Sequence, residues 1–251
     1  MFKKPYLSIV IPSYNEMENL KRGVLDEVLH YLKNQNYDWE LILSDDESSD
    51  GTIEFLEKFA KKHAQIKVIK NRHKGKGPTV KAGILQANGQ WRLYTDFDQS
   101  TPIQEVKKLL KYTDRYQVII GSREIKGALR AKEPFYRHLM GRGFNFLVRF
   151  FAVRGLMDTQ CGFKLFSEEA AEKLFKKLYV YGGRRQIRDA FTGAFDVELL
   201  YLARKFDFKI KEVAIKWKHF KTERVSPIKD SFRMFRDILR IRKADILRRY
   251  A

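Results

Sequence analysis

Two aspartates, Asp96 and Asp98, stand one residue apart in the stretch YTDFDQST (94–101), after an apolar run and just before Pro102. Where a strand ends and the chain turns, both carboxylates can reach one hard cation. Mg²⁺ or Mn²⁺ held by one or two carboxylates together with substrate phosphates is the arrangement such a pair serves. Ser100 could add an oxygen ligand. The same residues also suit a turn, because Ser100 or Thr101 ahead of Pro102 is a good helix N-cap. Taken alone, the motif leaves capping and metal binding open.

Other stretches carry related chemistry. GKGPTVKAG (75–83) sets Lys76 between two glycines before a helix start, which suits a phosphate held by backbone N–H groups and a cation. It lacks the full G-x-x-x-x-G-K-[ST] spacing, and a flexible turn is the alternative. In DDESSDGT (45–52), Asp45 and Asp46 are candidates for hydrogen bonds to a base or ribose. Asp50-Gly51 is a turn signal, and Asp50 or Thr52 can cap the next helix. GSRE (121–124) and the arginines at 130, 137, 142 and 149 form a cationic group whose forked geometry favours phosphate. A solvated face is the bland reading of those arginines. Phe144, Phe146, Phe150 and Phe151, interleaved among them, argue against it.

The elements that position these groups follow from periodicity. Short apolar runs at 7–11, 40–45, 66–70, 91–96 and 117–122 read as strands. Helical patterns lie between them, near 18–32, 52–64, 79–87 and 102–112. Strands alternating with helices, with nearly continuous apolar strands, predict an α/β fold with a mainly parallel sheet flanked by helices. Ligands of such sheets bind beyond the carboxyl ends of the strands. PSYNE, DDESSDGT, GKG, DFDQS and GSR all fall there, and five polar ends on one edge describe a site. The second half is less regular: DTQCGFKLF (158–166), a helix near 167–178, a basic loop YGGRRQIRD (181–189), a helix at 195–206 and an edge-like strand at 210–217.

Composition bounds the partners. The 251 residues carry 50 Lys and Arg against 31 Asp and Glu, a formal charge of +19, which calls for an anionic partner. Hydrophobic residues make up 44%, enough for a core and against global disorder. The one cysteine, Cys161, excludes an intramolecular disulfide and fits a reducing compartment. No stretch is long and apolar enough to span a membrane, so any membrane contact is expected to be peripheral. Residues 227–250 read as a basic amphipathic helix appended to a domain of residues 1–226. Lys229, Arg233, Arg236, Arg240 and Lys243 form one stripe, and Ile228, Phe232, Phe235, Leu239 and Ile246 lie on a neighbouring arc with Ile238 beside it. Both a membrane interface and packing on the domain remain open for it. No Ser–His–Asp or Cys–His arrangement stands out.

In order along the chain, VIPSYNE, LSDDESSDGT, GKGPTVKAG, DFDQST, GSR, DTQCGFKLF, FDVELL and EVAIKW resemble the inverting GT-A glycosyltransferases of family 2, over roughly residues 6 to 245. They are similar more narrowly to the polyprenyl-phosphate sugar synthases. DTQCGFKLF with FDVELL looks most like the dolichyl-phosphate β-glucosyltransferase branch, whereas the mannose synthase branch usually has D-P-x-S-G-F. The resemblance implies that Pro12, Tyr14 and Glu16, with Asp45 or Asp46, surround the base and ribose of a nucleotide-sugar donor. Lys76 would lie near its diphosphate, and Asp96 and Asp98 would hold Mg²⁺ or Mn²⁺ against it. Arg123 and Arg137 would grip the phosphate of a polyprenyl phosphate acceptor, and Asp158 and Gln160 would face the donor sugar or the acceptor. The chain departs from the family at Phe97, where a small residue is usual. It departs also at Gln99 and Ser100, at the loop YGGRRQIRD, and in having no transmembrane helix where some relatives have one.

The chemistry expected is a single inverting displacement of a hexose, glucose from UDP-glucose by branch resemblance, on the cytoplasmic face of a membrane. GDP-mannose and UDP-GlcNAc remain alternative donors. A glycan hydroxyl is the rival acceptor and would need a carboxylate base, for which Asp158 is the candidate. A nucleic-acid-binding module is a remote rival, and the acidic pockets on the basic surface weigh against nucleic acid as a partner.

Overall fold

The computed structural model describes residues 4–130, 153, 155–182, 194–218 and 227–251. Arg137, Arg142, Arg149, the four phenylalanines near them and most of the 181–189 loop lie outside the described residues. The first half folds as its periodicity predicts. β1 (Leu7–Ser13), β2 (Trp39–Asp45), β3 (Ile66–Lys70), β4 (Trp91–Thr95) and β5 (Val118–Ser122) alternate with helices α1 (Met17–Lys21), α2 (Val24–Lys33), α3 (Thr52–Ala60), α4 (Lys76–Gln86) and α5 (Val106–Leu110). Gly23, at φ +77°, divides the single helix expected over 18–32 into α1 and α2. This is the left-handed region that glycine enters at no steric cost.

Two more strands of the main sheet and three helices follow: β7 (Phe163–Ser167), α6 (Glu168–Lys177), α7 (Phe195–Lys205), β8 (Ile210–Ala214) and α8 (Pro227–Ile246), with β6 (Leu129–Arg130) and β9 (Lys216–Trp217) forming a separate small parallel ribbon. The main sheet runs β3-β2-β1-β4-β7-β5-β8. Its pairs are parallel except where β7 meets β4 and β5. Period-two alternation sends Leu7, Ile9 and Ile11 of β1 into one apolar layer with α2 and α3, and Val10 into the other with α4, α6 and α7. Both faces are covered, which is why the strands read as unbroken apolar runs.

The antiparallel β7 builds half of the site. Phe163, its first residue, pairs with Thr95, the last of β4. The segment entering β7, residues 158–162, is therefore brought to the same sheet edge as the carboxyl ends of the parallel strands.

The last helix shares the core of what precedes it. Ile238, Ile241, Ala244 and Tyr250 are buried with α7 and α6 side chains. Glu198 of α7 anchors this corner: it accepts the backbone N–H groups of Tyr179 (2.9 Å), Val180 (2.8 Å) and Tyr181 (2.9 Å) and the hydroxyl of Tyr250 (2.7 Å). Burial raises its pKa despite these donors. Glu198→Ala leaves three backbone donors without their acceptor, so a loss of about 3 kcal/mol is expected, read as a lower urea midpoint with an unchanged slope.

Candidate active site

Asp96 follows directly on β4, and Asp98 lies two residues on. Phe97 between them turns into the core beside Ile103 and Val106, which accounts for a large residue at that place. Asp98 accepts from the backbone N (2.9 Å) and Oγ (2.8 Å) of Ser100. Ser100 therefore braces Asp98, with its hydroxyl proton turned onto that carboxylate. Gln99 adopts φ +51° and donates to the Asp96 carbonyl (2.9 Å), while its Oε1 is buried with no hydrogen-bond partner.

Lys76 opens α4 behind Gly75, and its Nζ forms an ion pair with Asp96 Oδ1. Burial works against its charge, but Asp96 and then Asp196 overcome that and raise its pKa. Asp98 moves the other way. Its pKa is raised by burial first and by neighbouring Asp96 second, against the Ser100 bonds. A carboxylate raised by a second one beside it forms with it a donor set that a divalent cation would relieve. The space fits as well, because a Cβ on Gly162 would overlap the Asp96 carboxylate, and a bare glycine leaves that carboxylate its place. Among the described residues no group of three or more His, Cys, Asp or Glu forms a cage of its own. A cation on Asp96 and Asp98 would thus complete its shell from substrate phosphates or water.

A buried network supports this tip. Asp196, in the first turn of α7, accepts from Lys164 Nζ (2.7 Å) and from the Tyr94 hydroxyl. Lys164, fully buried on β7, also donates to the Cys161 carbonyl (2.5 Å). Sequence reasoning assigned neither Lys164 nor Asp196 a role. The available signal was a lysine inside the apolar run FKLF and an aspartate opening an apolar helix. Cys161 is inert here, since burial, with Asp158 adding to it, pushes its thiol up to about 12.

At the tip of β5 the structure joins two residues that the resemblance held apart. Asp158, fully buried, takes Arg123 in a fork: Nε to Oδ2 at 2.7 Å and Nη2 to Oδ1 at 2.9 Å, with the Arg123 backbone N–H also on Oδ2 (2.9 Å). The backbone N–H of Gln160 reaches Oδ1 at 3.3 Å. The guanidinium lies 5.5 Å from the Trp217 ring centre. Burial opposes the charge of Asp158, yet Arg123 holds its carboxyl down at about 2. A carboxylate so engaged is a poor proton acceptor near neutral pH, which weakens its candidacy as a general base.

The residues expected around the nucleoside sit at the ends of β1 and β2. Pro12 lies within β1 beyond the last residue paired to β4, where its missing N–H breaks no bond on that side. Tyr14 stacks on His73, with ring centres 4.5 Å apart and planes at 19°. Glu16 precedes α1, its backbone N–H bonded to Thr52 Oγ1 (2.9 Å). Asp45 accepts from Ser13 Oγ (2.8 Å) and from the N (2.9 Å) and Oγ (2.6 Å) of Ser48. Asp46 accepts from His73 Nδ1 and from the N–H groups of Lys74 and Gly75, each at 2.9 Å. Both carboxylates are buried and hold the protein's own loops, Asp46 fixing the turn that aims Lys76. Asp50 accepts from Thr52 N (3.0 Å), the first residue of α3, although the N-cap position expected for Asp50 or Thr52 is taken by Gly51. A groove beside Asp98, which the sequence did not reveal, is lined by Arg22, Glu27, Gln99, Gln104 and Lys218.

A seven-stranded mixed sheet with acids at the β4 tip, a lysine at a helix start and an Arg–Asp fork at β5 has the architecture of the GT-A glycosyltransferases. Residues 8–175 match the family described as Glycosyl transferase family 2, and the chain belongs to that family and is a glycosyltransferase. It is 36% identical over 254 residues to the dolichyl-phosphate beta-glucosyltransferase of Homo sapiens, covering 94% of this chain and 74% of that one. With the protein of that name from Dictyostelium discoideum the identity is 33% over 252 residues, with the same coverage. Among solved structures, glucosyl-3-phosphoglycerate synthase from Mycobacterium tuberculosis, crystallised with Mn²⁺, UDP and glucosyl-3-phosphoglycerate, superposes with a TM-score of 0.61 at 17% identity, over 98% of this chain and 80% of that one. A mannosyltransferase from Pyrobaculum calidifontis, solved with GDP-Man and Mn²⁺, gives 0.57 at 17%, over 97% and 70%.

Two outcomes test this geometry. Gly162→Ala should weaken Mn²⁺ binding about tenfold or more by displacing Asp96, a loss of roughly 1.4 kcal/mol, read from the free Mn²⁺ signal in electron paramagnetic resonance. Asp158→Asn strands Arg123 and should cost about 3–5 kcal/mol. The folded pKa of Asp158 is depressed, so the pair contributes fully above the ordinary aspartate value and fades as pH falls through about 2. The wild-type minus variant difference in urea melts should therefore be equal at pH 7 and pH 5.

Proposed function

We propose that the protein transfers glucose from UDP-glucose to a dolichyl or other polyprenyl phosphate, with inversion and with a divalent cation. The observation that carries the acceptor class is the Asp158–Arg123 fork. A sugar hydroxyl must lose a proton as it attacks, and that calls for a carboxylate base. Asp158 is held by Arg123, and Asp196 is held by Lys164 and Tyr94. A lipid monophosphate is already anionic and needs no base. The names of the curated relatives point to the same acceptor and to glucose.

In this reading a phosphate oxygen of the acceptor forms a bond to the anomeric carbon as the bond from that carbon to the diphosphate oxygen breaks on the opposite face. The nucleoside diphosphate leaves with the electron pair. Lys76 faces that developing charge. Asp96 and Asp98 would hold the Mg²⁺ or Mn²⁺ that, when bound, supplies Lewis-acid stabilisation of the leaving group. Arg123, oriented by Asp158, would present its outer edge to the acceptor phosphate, with Arg137 as its proposed companion. Tyr14, Pro12, Glu16 and Gln160 are proposed to contact the nucleoside or the sugar. Such an acceptor places the reaction at a membrane surface, which we assign to the cytoplasmic face. No described helix is long and apolar enough to cross a membrane.

Nucleotide release from a panel of UDP- and GDP-sugars, measured with polyprenyl phosphate and Mn²⁺, should single out UDP-glucose. Asp98→Ala should lower the rate at least about a hundredfold, or roughly 2.7 kcal/mol of transition-state stabilisation. Equal rates in the two proteins would remove the metal role of Asp98, and transfer only to a sugar hydroxyl would sink the acceptor assignment.

A further inference from the structure

The C-terminal helix α8 carries apolar side chains on two opposite faces. Asp237, Ile238, Ile241 and Ala244 are buried against the domain. At about 100° per residue, Leu239 and Ile246 fall on the side facing away from that contact. Leu239 is 47% exposed, Ile246 79%, and Leu247, just past the helix end, 54%. These are three of the six large hydrophobic side chains most exposed among the described residues. Exposed cationic side chains flank them: Lys243 and Arg236 on one side of the ridge and Arg242 on the other, with Arg240 beyond. The arc expected from sequence thus splits, Ile238 serving the core while Leu239 and Ile246 point outward.

We propose that this outer face of α8 seats the protein on an anionic lipid bilayer. The ridge needs an apolar surround, and the cations beside it need an anionic one at the same depth. The headgroup boundary of an acidic membrane supplies both. A nucleic acid satisfies the cations but leaves Leu239, Ile246 and Leu247 against water. The inner face of the helix ties this contact to the site. Asp237 accepts from the Tyr181 hydroxyl, and α8 packs on α7, whose first turn carries Asp196. The inference rests on the reading that the acceptor is a membrane lipid, and it adds which surface meets the membrane.

Co-sedimentation of the full chain with vesicles tests it. Vesicles of phosphatidylcholine mixed with phosphatidylserine should bind the protein strongly and vesicles of phosphatidylcholine alone weakly. The double variant Leu239→Ser/Ile246→Ser should lower partitioning to the mixed vesicles about tenfold or more, with its thermal midpoint held because both side chains are exposed. Arg236→Glu/Lys243→Glu, away from the reacting groups, should do the same and more so at low salt. Wild-type failure to bind the mixed vesicles overturns the proposal. So does unchanged partitioning of the serine variant, or a ridge that instead mediates self-association in sedimentation velocity. Transfer to a short-chain, water-soluble prenyl phosphate, measured in parallel, separates the two readings. It should be equal in wild type and serine variant, and its absence in wild type counts against the acceptor rather than against the helix.

Discussion

Asp98 is largely withdrawn from water and stands beside the carboxylate of Asp96, and each condition raises the cost of charging it. A chain with 50 basic residues does not dissolve that conflict at a distance, because screening confines exposed charges to about 8–10 Å. Relief must come from a cation delivered to the spot. Lys76 does this for Asp96 from the start of α4, and the turn that aims it is held by Asp46 through three hydrogen bonds. One ammonium cannot neutralise two carboxylates, so the tip of β4 keeps an unmet demand for positive charge. A nucleoside diphosphate alone would add to the repulsion; a divalent ion between the two reverses its sign.

That demand shapes the layer beneath. Asp196 lies near enough to Lys76 to raise its pKa, and an unpaired Asp196 would compete with Asp96 for the lysine. Lys164 and Tyr94 occupy it instead. Each of these four acids thus has a designated donor: Ser100 for Asp98, Lys76 for Asp96, Lys164 for Asp196 and Arg123 for Asp158. Two of these pairs depend on the direction of β7. Run antiparallel between β4 and β5, it carries Lys164 into the interior and places Asp158 and Gly162 at the active edge. A parallel strand in that position would deliver residues 158–162 to the opposite edge of the sheet.

The five parallel strands and their polar ends were legible because strands buried on both faces leave apolar runs, and punctuation between runs marks the edge where ligands bind. β7 was not. β3 and β4 are equally short and also carry a cation at their second place, but they sit in a regular strand–helix alternation that the stretch before β7 lacks. The bonds that Asp45 and Asp46 make within the protein were hidden for a related reason. A sequence displays which side chains can bind a ligand, but an internal partner found 28 residues on, as Lys74 is for Asp46, leaves no local trace. Arg123 and Asp158, 35 residues apart, show the same limit from the other side. Each was expected at the site on its own account, and only the fold reveals that the two are paired.

The C-terminal helix marks where pattern reading fails on its own terms. A single amphipathic arc is informative when one apolar face answers to one environment. Here Ile238 and Leu239 are neighbours in sequence with opposite fates, one fully buried and the other 47% exposed. An apolar residue on either face enlarges the apparent arc, so the pattern reported a broad apolar sector where the structure has two narrow ones. Packing and membrane contact then cease to be alternatives, because a helix with two apolar faces and cations on the flanks of one can satisfy both at once.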